Sequence, residues 1–254
     1  MVTRKFTQEE VKKISSICSA IRNYVTEVII DKGNIIQYDD QVQIIFDIRD
    51  VIKDNNNFTW IISDIKSNYP IFDIFDEFTL TIDDERGYFE ISDNDGQHMQ
   101  IRFVEPCNVT LQPEDLSYEV IHSIKLGSAQ LKKIKKMIDM VRNITFDIVD
   151  ENGKLIMFSN SRSKTKKFST VLCDTPKQLK NAHLRYLFVV FDVVTKLSDT
   201  GDIELQFIDN EGEIDLLVKV DDNTKIIGRK IEKEMSELIY TFDEEKQEEV
   251  EEIT

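Results

Sequence analysis

Glycine and proline are scarce in this chain, eight and four among 254 residues. That scarcity argues against wholesale disorder, and 41% hydrophobic residues are ample for packed cores. Cysteine is scarcer still. Cys18, Cys107 and Cys173 stand far apart with no CxxC pair, which argues against a disulfide framework and a cysteine-built zinc site. His98, His122 and His183 are isolated, without HExxH or His-x-His spacing. Glycine-rich phosphate loops of both common kinds are missing. The first residues lack the apolar run of a signal peptide, and no stretch reaches the length of a membrane span. The expectation is a soluble, cytoplasmic protein that needs no cofactor and no metal.

Catalysis needs convergent groups, and none are recognisable here, so an enzyme is not expected. Asp93-Asn94-Asp95-Gly96 opens like a calcium loop but lacks the glutamate six residues after its glycine; it reads as a hairpin turn. Phe72, Phe75, Phe78, Phe188 and Phe191 read as core, and Cys18 as packing on an apolar stripe.

Positive charge is also in deficit. The net charge is −16, which normally argues against a nucleic-acid partner. The charge is uneven, however. Asp243 to Glu252 holds seven acids and one lysine, a solvated acidic tail. Lys125 to Arg142 holds six basic residues and a single Asp.

What the chain does contain is itself, twice. Val11–Ile36 and Leu131–Ile156 superpose without a gap at an offset of 120. Lys12/Lys132, Lys13/Lys133, Ile14/Ile134, Arg22/Arg142, Asn23/Asn143, Gly33/Gly153 and Ile36/Ile156 are identical pairs. A repeat sets the architecture before any motif does. The expected domains are 1–112 and 113–242, with the tail at 243–254.

Thr7, with Glu10 at capping-box spacing, opens an amphipathic helix to about Tyr24. Strand-like runs follow at TEVIID, NIIQY, QVQIIFDI and FTWII, with DKGN as a hairpin turn. DIKSNYPIFDIFDEF reads as a short helical segment interrupted or begun at Pro70, followed by a meander of FTLTI, GYFEIS and HMQIRFV. The second half repeats the plan with a helix from about Ser128 to Asn143. Its ending, IELQFIDNEGEIDLLVKV, aligns with YFEISDNDGQHMQIRFV through a shared Asp-Asn-acid-Gly turn. On that alignment the offset drifts from 120 to 119 to 116. The class is α+β with antiparallel sheets, each repeat carrying one long and one short helix.

At 100° per residue the first helix buries Val11, Ile14, Cys18, Ile21 and Val25, and opposite them lie Lys12, Ser16, Ser19 and Asn23. The second buries Leu131, Ile134, Ile138 and Val141, opposite Lys132, Lys136, Asp139 and Asn143. Lys13, Lys133 and Lys135 flank these ridges, with Arg22 and Arg142 nearer the buried edge. Two equivalent helices thus carry basic or neutral outer faces on an acidic body. Lysines offer point charges to phosphates and do not read base edges, so such a face suits duplex without sequence choice.

The sequence resembles the sliding clamps, ring-shaped processivity factors of replicative DNA polymerases. It looks most like the two-domain type of tailed bacteriophages, related in fold to proliferating cell nuclear antigen. WIISDIKSNYPIFDIFDEF with FEISDNDGQHMQIRFVEP resembles part of a phage clamp's first domain, and LGSAQLKKIKKMIDMVRNITFDIVDENGKLIMF the start of its second. The resemblance implies a DNA-clamp fold, a homotrimer ring of six domains, and partners in double-stranded DNA, a DNA polymerase and a clamp loader. Lys12, Lys132 and Lys136 would face the duplex, flanked by Lys13, Lys133, Lys135 and Arg142, with Lys66 and Lys196 added from the short helices. Val109, Leu111, Ile226 and Ile227 would border a pocket for partner peptides. For a phage protein the compartment would be the host cytoplasm. Two alternatives stay open: an acidic two-domain interaction scaffold that does not encircle DNA, and a hydrolase using carboxylates in no recognised context.

Overall fold

The computed structural model describes residues 2–31, 33–38, 42–49, 51–52, 59–83, 87–102, 118–141, 144–160, 166–197 and 201–231. Strand β1 (Val2–Phe6) leads into helix α1 (Gln8–Ile21), then strands β2 (Glu27–Asp31), β3 (Asn34–Tyr38), β4 (Val42–Asp47) and β5 (Thr59–Ser63). Short helices α2 (Ile65–Asn68) and α3 (Ile71–Ile74) precede strands β6 (Phe78–Asp83), β7 (Tyr88–Ser92) and β8 (His98–Arg102). The second half follows the same order: β9 (Glu119–Leu126), α4 (Ser128–Val141), β10 (Thr145–Glu151), β11 (Lys154–Asn160), β12 (Lys167–Asp174) and β13 (His183–Leu187). It ends with α5 (Val189–Leu197), β14 (Ile203–Asn210), β15 (Glu213–Lys219) and β16 (Thr224–Gly228).

The class is α+β with antiparallel sheets, as the periodicities require. Pro70 separates α2 from α3, since a ring without an N–H cannot extend the helix before it. One four-stranded sheet runs β1-β6-β7-β8, and another runs β12-β11-β10-β13. The remaining strands of both halves fuse into an eight-stranded sheet, β5-β2-β3-β4-β16-β15-β14-β9. The halves therefore join at β4 and β16, antiparallel from Val42 opposite Gly228 to Phe46 opposite Thr224.

One core runs beneath both halves. Trp60 packs 5.8 Å from Phe6 and 5.7 Å from Phe89, which ties β5 of the long sheet to β1 and β7 of the short one. Phe146 stands 5.1 Å from Phe188 and 5.2 Å from Phe191, tying β10 to α5. Phe72, Phe75, Phe78, Phe188 and Phe191 are all buried, as expected. Each such side chain contributes roughly 1.5–3 kcal/mol of hydrophobic stabilisation.

Two expectations need correction. No strand is expected at Val2–Phe6 or Glu119–Leu126, yet both form, pairing with β6 and β14. Their apolar pattern is thin, because only Phe6 is buried in β1 and only Ile124 and Leu126 in β9. They also overturn the alignment of the last hairpins. The Asp93–Gly96 turn joins β7 to β8, but the Asp209–Gly212 turn joins β14 to β15. Sheet order makes β6, β7 and β8 the counterparts of β14, β15 and β16. By register Ile203 stands where Phe78 does, and Ile226 where Met99 does. The offset therefore rises to 125 and 127 instead of falling to 116. The connector expected at Glu105–Leu116 lies outside the described residues.

Candidate nucleic-acid interface

Helix α1 begins with the expected capping box. The Thr7 N–H donates to Glu10 Oε2 at 2.7 Å and the Glu10 N–H donates to Thr7 Oγ1 at 3.4 Å. Arg4 fixes the same carboxylate at 2.9 Å. With its start so defined, α1 buries Val11, Ile14, Ile17, Cys18, Ala20 and Ile21 and leaves Lys12, Lys13, Ser16 and Ser19 exposed. Burial pushes the Cys18 thiol up to about 12, so it is a neutral packing group and no nucleophile. Arg22 is half-buried and lies 4.0 Å over the Tyr69 ring, a stacking role.

Helix α4 has a simpler start, in which the Gly127 N–H donates to Gln130 Oε1 at 3.2 Å. It buries Leu131, Ile134, Met137 and Val141. Met137 thus takes the place expected of Ile138, which is half-buried. Lys132, Lys133, Lys135 and Lys136 are all exposed, and among the described residues none has an acidic partner within ion-pair distance. The same holds for Lys12 and Lys13. Helix α5 packs against both α1 and α4, so the three form one continuous layer. The two lysine-bearing helices therefore belong to the same helical layer.

Comparison of the structure with solved structures decides the architecture. It is similar to a putative DNA polymerase III beta subunit of Eubacterium rectale, with a TM-score of 0.63 at 11% identity. That match covers 91% of this chain but 66% of the beta subunit. PCNA of Thermococcus kodakaraensis matches with a TM-score of 0.58 at 14% identity, covering 90% of this chain and 99% of that one. Proliferating cellular nuclear antigen of Entamoeba histolytica matches at 0.59 and 12%, with 91% and 98% covered. The chain has the DNA-clamp fold. No protein-family model and no curated protein matches the sequence.

On this clamp fold the remaining expected site residues fall in different places. Lys66 is exposed on α2. Lys196 is exposed on α5 and already engaged: it donates to the Tyr24 hydroxyl, lies 4.4 Å over that ring and stands 3.5 Å from Asp192. Tyr24 in turn donates to Asp192, so this cluster bridges α5 to the end of α1 across the halves. Arg142, Val109 and Leu111 lie outside the described residues.

Ile226 and Ile227 cannot both border one pocket, since consecutive strand residues point to opposite faces. Ile226 is fully buried in the main core, which corrects its expected place. Ile227 is buried as well, but in a separate cluster with Ile208 and Leu217, against which Tyr118 packs. Two side chains unnoticed in the sequence stand on that same face, Gln43 opposite Ile227 and Gln206 opposite Leu217. Both are buried, and among the described residues the Gln43 amide and the Gln206 amide oxygen lack hydrogen-bond partners. An unmade buried hydrogen bond costs about 1–3 kcal/mol, so these amides are a signal that apolar periodicity could not give.

Proposed function

We propose that this protein is a sliding clamp of the two-domain, tailed-bacteriophage type. In this reading three copies close into a ring around duplex DNA, and domains 1–112 and 113–242 supply six repeats. The observation that carries it is the helix layer: exposed, uncompensated lysines on α1 and α4 of a clamp-fold chain whose net charge is −16. Lys132 and Lys136 hold the phosphates most strongly, with Lys133 and Lys135 beside them. Lys12 and Lys13 contribute from α1, and Lys66 and Arg142 add at the margins. Lysines on flexible stems bind phosphates without choosing bases, so the ring can slide. The acidic remainder repels duplex from the outer surface.

The protein performs no chemistry in this role; it tethers a replicative polymerase and is opened by a clamp loader. The polymerase docks by a short peptide at the face of Ile227, in a pocket to which the clamp resemblance adds Val109 and Leu111. There the Gln43 and Gln206 amides offer hydrogen bonds to the peptide backbone. Electron-microscope images of the purified protein test the reading. A closed ring with a central hole supports it, and a compact particle without a hole at micromolar concentration overturns it.

A further inference from the structure

The outer face of one sheet in the second half is apolar where polar side chains are the rule. In the sheet β12-β11-β10-β13, Phe146, Ile148, Leu155 and Met157 are fully buried, and Phe146 meets Phe191 of α5. Alternation therefore turns Val149, Ile156 and Phe158 to the opposite face. Cross-strand register adds Val171, so that Val149, Ile156 and Val171 form one row. Val171 is 51% exposed and the other three are half-buried. Among the described residues none of the four packs against the main core. An antiparallel sheet with one wet face alternates apolar and polar residues, and a contiguous apolar row on that face marks a contact surface.

The first half closes the same positions to water. The offset of 120 makes Ile29 the counterpart of Val149, and Ile36 that of Ile156. Ile45 pairs with Ile36 as Val171 pairs with Ile156, so Ile45 is the counterpart of Val171. Ile29 and Ile45 are both buried, at 7% and 5% exposed. The row is thus closed in one repeat and open in the other.

We propose that residues 232–242 of this chain form an amphipathic helix that lies on the open row. Ile231, Met235, Leu238, Ile239 and Phe242 recur at i, i+4, i+7, i+8 and i+11, within a sector of about 100°. Lys233, Ser236, Glu237 and Tyr240 fall on the opposite side. The chain also starts this segment in the right place. Ile231 is buried, and its N–H donates to the Arg185 carbonyl at 2.9 Å, on the edge strand β13 of the same sheet. From β13 to β12 is three strand spacings, about 14 Å. Residues 232–242 extend about 16 Å as a helix. After Phe242 comes the run Asp243–Glu252, with seven acids and one lysine. Exposed Lys167 of β12 stands at the edge so reached, 5.6 Å over the Phe158 ring. Length and charge agree on one path.

Docked in this way, the segment holds the acidic run on the side of the sheet away from α5 and the helix layer. Undocked, the same acids compete with phosphate for Lys132 and Lys136. The docking is independent of the ring reading, and only this consequence for the lysines rests on it.

A thiol placed on the row tests the docking: Val171→Cys in the 254-residue chain, with Cys107 and Cys173 changed to Ser. N-ethylmaleimide labels that thiol slowly at pH 7. Leu238→Asp with Phe242→Asp raises the rate at least about tenfold, a factor that the loss of one buried leucine suffices to give. Lys233→Glu, on the other side of the helix, leaves the rate unchanged. Buried Cys18 stays unlabelled throughout and reports an intact core. An equal rate with and without the two aspartates overturns the proposal. Protection that fades on dilution overturns it as well, because the cover is then another molecule. The reciprocal experiment leaves the segment untouched. Val171→Asp with Ile156→Asp speeds tryptic cleavage after Lys233 by about tenfold or more, as local opening requires. Cleavage at the unchanged rate would show that the row does not hold the segment.

Discussion

Helices α1 and α4 occupy the same place in two copies of one fold, and they agree on one face while differing on the other. Val11, Ile14 and Ile21 correspond to Leu131, Ile134 and Val141, and all six are buried. On the outer side Ser16 and Ser19 of α1 stand where α4 has Lys136 and Asp139. Packing constrains the first face, because a core at crystal-like density registers the loss of a methylene. Among the described residues no acidic side chain pairs with the lysines of the second. In the proposed reading the lysines of α4 face a ligand outside the chain, and the serines of α1 make a weaker contact with it.

The comparison breaks most sharply under charge reversal. Lys132→Glu with Lys136→Glu lowers duplex affinity by at least roughly tenfold and flattens the salt dependence by about 0.9 for each phosphate that is no longer neutralised. Lys12→Glu with Lys13→Glu has a smaller effect on the same binding isotherms. Equal effects from the two pairs would remove the asymmetry. Ser16→Lys sharpens the comparison from the other side, since it gives α1 the lysine of α4 and steepens the salt slope.

Stability changes are smaller and equally unequal. Glu10→Ala breaks the α1 capping box and the ion pair with Arg4, costing about 1 kcal/mol in denaturant unfolding. Gln130→Ala costs less, because Gly127 before α4 brings no side chain to a reciprocal cap. Tyr24→Phe removes the polar bridge between the halves and costs roughly 0.5–1.5 kcal/mol. The least perturbing probe is alkylation of Cys18, which stands where α4 has Ile138. With its thiol pushed up to about 12, Cys18 is protonated throughout the neutral and mildly alkaline range. It reacts with iodoacetamide at pH 8 only after unfolding, and rapid labelling of the native protein would contradict its buried place.

Much of this was legible in the residues, for reasons that also explain the failures. Helices α1 and α4 show because a 3.6-residue period survives across fourteen residues, and α1 is announced by Thr7 and Glu10. Hairpins show where a glycine takes a left-handed conformation, as Gly153 does at φ 76°. The same signal misled at the last hairpins. Gly96 and Gly212 have φ of 82° and 92°, and each reports a tight turn without saying which strands it joins. Strands β1 and β9 escaped because their backbones are held mainly by pairing, with little apolar alternation to betray them. The engagement of Lys196 was hidden for another reason, since its Tyr24 partner lies 172 residues away. Gln43 and Gln206 are polar residues in apolar runs, and only the packed sheet shows the Gln43 amide and the Gln206 amide oxygen without partners among the described residues.

The central claim is topological: duplex is held by enclosure, and the lysines only cushion it. A duplex tethered to a bead by one end tests this without a loader, with the free end blocked either before or after the protein is added. Enclosure predicts retention when the end is blocked afterwards and exclusion when it is blocked beforehand, both in salt high enough to abolish simple phosphate binding. Equal binding in the two orders, falling in parallel as salt rises, would show a surface binder and contradict the ring.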